Sequence, residues 1–226
     1  MDNAIKAIFF KEWIKTRLVI LFFSLLSLGY LLFNLAIWYR IATFKGASHL
    51  WEIVIGKNTV LIQNMQYIPV IFGIILAVFQ FIPEIREKRL KLTLHLPVNH
   101  SRIAFYMISY GLMIMAGYSI LQLIIIGGTA FYYFPGEVVS RIISTSLIWY
   151  LAGFMSYLLT SRIILEGIRK YCLLHFIFSV LILSWFFETT TPGAYTTFIP
   201  VLLLLCANAA LWIDYSIVRF KQGKRE

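Results

Sequence analysis

The stretch "LVILFFSLLSLGYLLFNLAIWY", residues 18–39, decides the fold. It contains no Asp, Glu, Lys, Arg or His. A helix needs roughly 20 predominantly apolar residues to cross about 30 Å of hydrocarbon, and this run is long enough. It is not read as a signal peptide, because it starts only at Leu18 and lacks a small-x-small cleavage site. Five comparable runs follow, at 59–82, 103–127, 142–160, 171–187 and 196–213. Across all six, the only residue of those five ionisable types is His175. A charge at the centre of an inserted helix costs about 2.5–3.5 kcal/mol, so that emptiness is informative.

Lipid offers the backbone no hydrogen bonds, which leaves helices or closed barrels as spanning structures. These runs are continuous, not the alternating ten-residue segments of a barrel. The expected fold is an all-α integral membrane protein with six transmembrane helices, formed by residues 1–226 as a single transmembrane domain. Composition agrees: 60% of the chain is hydrophobic, 13% is charged and the mean hydropathy is +0.81, against about 25% charged in soluble domains.

The net charge of +10 would hint at nucleic acid in a soluble protein. Here the basic residues mark topology instead, and no nucleic-acid partner is expected. With both termini on one side, that side collects the basic residues of the N-terminus (Lys6, Lys11, Lys15, Arg17), of 83–102, of 161–170 and of the tail. Sixteen of the twenty Lys and Arg residues then lie together, opposite only Arg40, Lys45, Lys57 and Arg141. The positive-inside rule places the termini in the cytoplasm and the chain in the cell membrane as a multi-pass protein. The outer connections are short, with Pro135-Gly136 as turn chemistry in one of them.

Residues 1–16 are expected to form an interfacial helix, with Ala4, Ile5, Ile8, Phe9 and Trp13 at helical spacing and Lys6, Lys11 and Lys15 among them. Gln63, Asn64 and Gln66 put a polar patch in the outer half of the second span, a possible translocation path or ordinary interhelical glue. Pro69 beside them is expected to kink that helix. Trp38 and Tyr39 at the end of the first span fit an interfacial aromatic belt, whereas Trp149 and Tyr150 fall mid-span and are expected to pack.

No chemistry-bearing motif is present. "IGKNT" at 55–59 lacks the upstream Gly and the Ser or Thr of a phosphate-binding loop. There is no G-x-S-x-G elbow and no H-E-x-x-H. His95 and His100 have no third ligand in register, so no metal is expected. Cys172 and Cys206 lie in apolar runs and form no framework. The chain is not expected to be an enzyme or to hold a cofactor of its own.

One segment breaks the apolar pattern: "FIPEIREKRLKLTLHLPVNHSRI", residues 81–103. Between Ile82 and Arg102 lie Glu84, Arg86, Glu87, Lys88, Arg89, Lys91 and Arg102, together with Leu90, Leu92, Leu94 and Leu96. Pro83 suits the first turn of a helix, and Glu84 and Glu87 would then sit where the helix dipole favours acids. A short cytoplasmic helix ending at Pro97 is expected. Charges alone would make a solvated loop; four leucines among them fit an element that docks on another protein.

This segment resembles one in the permease subunits of ABC-2-type transporters. In those proteins a Glu after the second membrane helix precedes a charged, leucine-containing stretch and then "LPVSR" or a close variant. The matching residues here are Glu84, Arg86, Glu87, Leu90, Leu94 and Leu96-Pro97-Val98-Asn99-His100-Ser101-Arg102. Lys11-Glu12-Trp13, followed by Lys15 and Arg17, is similar to the basic start of those permeases. Six spans with both ends inside is their layout. The resemblance implies an exporter subunit that pairs with a second copy or a homologous permease within membrane lipid, and docks two separate cytosolic ABC ATPase subunits that hold ATP and Mg. The 84–96 segment would be the coupling helix, carrying Glu84, Glu87, Arg89, Leu90, Leu94, Leu96 and Pro97, flanked by the N-terminal helix with Lys11, Glu12 and Trp13. Short outer loops and an apolar interior favour a lipid, peptide or other amphiphile as cargo. Two alternatives stand beside it: a non-transporting scaffold or immunity-type protein, and a membrane-embedded enzyme acting on lipids.

Overall fold

The computed structural model describes residues 2–51, 65–86, 100–166, 168–189, 191 and 193–221. Among them are six α-helices and no strand: α1 (Asp2–Trp51), α2 (Tyr67–Arg86), α3 (His100–Tyr133), α4 (Gly136–Leu165), α5 (Arg169–Trp185) and α6 (Ile199–Lys221), with a 3-10 turn at Thr196–Phe198. The all-helical expectation therefore holds for the described residues. Four helices, α1 to α4, are long and apolar enough to cross a membrane; α5 and the described apolar part of α6 are shorter.

The surface suits lipid. Leu18, Phe22, Leu25, Phe33, Phe131 and Leu204 are among many large apolar side chains more than half exposed. A water-soluble monomer rarely shows contiguous apolar surface on that scale.

α4 is the hub. It packs along α2 over its greatest length and also holds α3, α5 and α6, while α1 lies against α2 and α3. The α2–α4 crossing is close because small residues meet there. A Cβ on Gly73 would run into Gly153 O and Ser156 Oγ, and one on Gly153 would stand 2.8 Å from Pro69 O. Small residues let backbones approach where lipid supplies no hydrophobic drive between helices. Above and below the crossing the core is aromatic: Phe72 lies 4.7 Å from Tyr118 and 5.4 Å from Phe23, centroid to centroid. Trp149 and Tyr150 are buried, as packing predicts. At the far end of α4 a two-residue corner, Phe134-Pro135, joins it to α3, and Gly193, at φ 77°, ties the α5–α6 turn to α4 by donating to Thr145 Oγ1 at 3.0 Å.

Several expectations change. Residues 1–16 are not a separate interfacial element: α1 runs unbroken from Asp2 to Trp51, with no proline anywhere in it and no glycine before Gly29. At 1.5 Å per residue its 50 residues reach about 75 Å, so both ends must extend beyond a hydrocarbon layer of about 30 Å. Pro69 does not kink α2, since the helix starts at Tyr67 and the first turn has no intrahelical partner for its N–H groups. Pro83 opens no new helix but lies inside α2. Trp38 is no belt residue: it is 1% exposed and meets the ring of Phe134 edge-on, whereas Tyr39 is exposed.

Candidate functional site

α1 buries one narrow stripe: Glu12, Thr16, Val19, Phe23, Ser27, Leu31, Asn34 and Trp38. The steps of three and four are those of a single helix face. Four of the eight are polar or charged, so this face turns inward while Leu18, Phe22, Leu25 and Phe33 on the other faces are exposed. In a membrane the costly polar groups belong on the bundle side.

The inward face begins in a charged cluster. Glu84, in the last turn of α2, is fully buried. Lys11 Nζ lies 2.9 and 3.0 Å from its two oxygens, and Lys15 Nζ lies 2.8 Å from Oε1. Lys15 also donates to Gln80 O at 3.2 Å and reaches both oxygens of Glu12, at 2.8 and 2.7 Å. Two ammonium groups thus face two carboxylates, and the formal charge of the cluster is zero. Removing one member of such a pair leaves an uncompensated buried charge.

A neutral shell surrounds it. Thr16 Oγ1 donates to Glu12 O at 2.9 Å and lies 2.7 Å from Tyr110 Oη on α3. Gln80, one turn before Glu84, donates to Met107 O at 2.8 Å and accepts from Tyr157 Oη at 2.8 Å. The Tyr157 ring fits because Gly111 faces it; a Cβ there would collide with the phenol. The phenyl ring of Phe9 meets Tyr110 edge-on at 5.6 Å. Residues of α1, α2, α3 and α4 therefore converge on the end of α2, and the backbone after Arg86 leaves from this joint.

The residues singled out from sequence are placed as follows. Lys11, Glu12 and Glu84 come together. Glu84 is turned inward, with no carboxylate left to face a partner, and it sits at the helix end where the dipole disfavours an acid; the two lysines supply what the dipole does not. Trp13 points away and is 42% exposed. Gln66 is half-buried in the turn before α2. Glu87, Arg89, Leu90, Leu94, Leu96, Pro97, Gln63 and Asn64 lie outside the described residues. Sequence reading passed over Lys15, Gln80, Thr16, Tyr110 and Tyr157 as site residues. A usable signal was present for one helix: Glu12, Thr16, Ser27 and Asn34 are the polar residues that share a helical face in α1.

A second polar group lies elsewhere. Glu166, at the C-cap of α4, has Oε2 3.6 Å from Nε2 of His175 on α5, and Arg162 stands one turn before it. Among the described residues, no three of His, Cys, Asp and Glu gather as metal ligands would.

No family model matches the chain, and no curated protein or solved structure aligns with it. What the fold defines is an all-helical chain with four helices able to cross a membrane and a buried charged joint at one end of the bundle.

Proposed function

We propose that this chain is the permease subunit of an ABC-2-type transporter, with six spans and both termini cytoplasmic in the cell membrane. Separate cytosolic ATPase subunits drive it through the segment that follows α2. The single observation that carries this reading is the bonding of Lys11 and Lys15 to Glu84 at 2.8–3.0 Å. The two stretches that resemble the permease family, one near residue 11 and one starting at residue 84, are far apart in sequence and joined in space.

The joint supplies a mechanical route. A push on residues 87–99 reaches the end of α2 first. Glu84 passes it to α1 through two ion pairs, and Gln80 passes it to α3 and α4 through Met107 and Tyr157. Glu84 then acts within the subunit as the anchor of the coupling segment, while the docking contacts fall to the residues after it. A conformational change of this kind needs a ligand with differential affinity for two states, which nucleotide binding in the partner provides. The cargo favoured by the apolar bundle is a lipid, peptide or other amphiphile.

The test is co-purification. The native complex should carry a soluble ATPase. Scrambling 87–96, with Glu84 kept, should leave the subunit folded and reduce cargo-coupled ATP hydrolysis at least tenfold. A complex that keeps its ATPase and its coupling after this change would refute the proposal; a stable chain that never captures an ATPase would favour the scaffold alternative.

A further inference from the structure

α5 and α6 both pack on α4 but scarcely touch one another. Between them lies a cleft of about 290 Å³, close to the roughly 300 Å³ at which small-molecule sites begin. Met155, Phe178, Ile182 and Leu205 give it apolar walls, and Arg162, His175 and Asn208 line it as well. Leu174 and Phe178, both about half exposed, border it on the lipid side. Arg162 and His175 lie near the α4–α5 corner, so the cleft is oily along its length and polar at the end where α4 stops.

We propose that this cleft holds one acyl chain of an anionic glycerophospholipid, with the lipid phosphate against Arg162 and His175. The proposal does not depend on the transporter reading. Shape and charge both point to this occupant. The walls are continuous with the lipid-facing surface of α5, and the polar end stands at the end of a helix long enough to span, where headgroups begin. Arg is suited to phosphate because its planar fork donates bidentately, and the amide of Asn208 adds a neutral polar group from α6.

Native mass spectrometry of the full-length protein, delipidated in detergent and titrated with phosphatidylglycerol, phosphatidylcholine or inorganic phosphate, tests this. One phosphatidylglycerol per chain should be retained, about tenfold more tightly than phosphatidylcholine. Inorganic phosphate alone should not be retained, because the chain carries much of the binding. R162Q should lose the preference, and R162K should keep part of it. A ring placed in the cleft by A209F, or by L205W should the first variant fold poorly, should displace the lipid. Equal retention of the two lipids would overturn the proposal. So would retention unchanged by both cleft-filling variants.

Discussion

Among the described residues, both oxygens of Glu84 are held by the ammonium groups of Lys11 and Lys15. The two lysines are not equivalent. Lys15 is 10% exposed, reaches Glu12 as well as Glu84, and also donates to Gln80 O; Lys11 is 31% exposed and pairs with Glu84 only. K15M therefore leaves two buried carboxylates facing one ammonium group, a loss of about 3–5 kcal/mol by the measure of broken buried pairs. K11M should cost much less, because its more exposed ammonium is already partly hydrated and its loss leaves Lys15 in place. Chemical unfolding in detergent micelles checks the order, and equal midpoints for K15M and the parent would show that the cluster does not form. This pairing was not legible in the sequence: residues 15 and 84 are 69 apart, and no local pattern says which of the twenty Lys and Arg residues a carboxylate will meet. What the sequence did show was that Glu84 lies in the one segment that breaks the apolar pattern.

At the scale of the helix, legibility followed the solvent. The continuous apolar runs made helices unavoidable, and the corner at Phe134-Pro135 was announced by Pro135-Gly136. The buried face of α1 was not announced in the same way, because an apolar stripe marks the core side only in water. In lipid the polar positions mark it: of the apolar positions read from the sequence, Ile8 and Phe9 do pack inward, Trp13 is exposed, and the interface itself is set by Glu12 and Thr16. Helix boundaries were also misjudged where apolar runs outlast the helix. The run beginning at residue 59 made Pro69 look central, although α2 starts at Tyr67. Two substitutions separate the roles of these α2 and α4 residues. P69A should change stability by no more than a few tenths of a kcal/mol, as a first-turn proline removes no intrahelical bond; a kink-forming proline would instead show a large change in α2 geometry. G153A pushes a Cβ to within 2.8 Å of Pro69 O and should cost about 1–3 kcal/mol through overpacking. A disulfide crosslink between cysteines placed at Val70 and Ser156, whose side chain bonds Val70 O, should form efficiently in the parent and slowly with G153A. An undiminished rate would mean that the two helices do not cross at these glycines.

For the whole molecule, the open issue is how α5 and α6 sit in the membrane. α5 has 17 residues, about 26 Å at helical rise, a little short of the roughly 30 Å hydrocarbon layer. Phe186 and Phe187 extend its apolar run by two residues, and mismatch of a few ångströms is met by modest thinning. α6 has 23 residues, about 34 Å, although its described apolar part, with the turn before it (Thr196–Ala210), is shorter. Both lie beside α4, itself long enough to span. If both cross, Glu137 and Ala194 share one side of the membrane, and Lys6 and Lys170 share the other. All four side chains are exposed, so each can be replaced by a single cysteine after Cys172 and Cys206 are changed to serine. A membrane-impermeant maleimide applied to intact cells should then label positions 137 and 194 and leave 6 and 170 unlabelled until the membrane is opened. A hairpin of α5 and α6 that enters and leaves on the cytoplasmic side would reverse the result at one position only: 194 would resist the reagent from outside while 137 still reacted. That outcome would reduce the spans to four and remove the outward half of any path between α4 and α6. It would leave the joint at Glu84 untouched, because Lys11, Lys15, Gln80 and Tyr157 all belong to the four helices whose length already suffices.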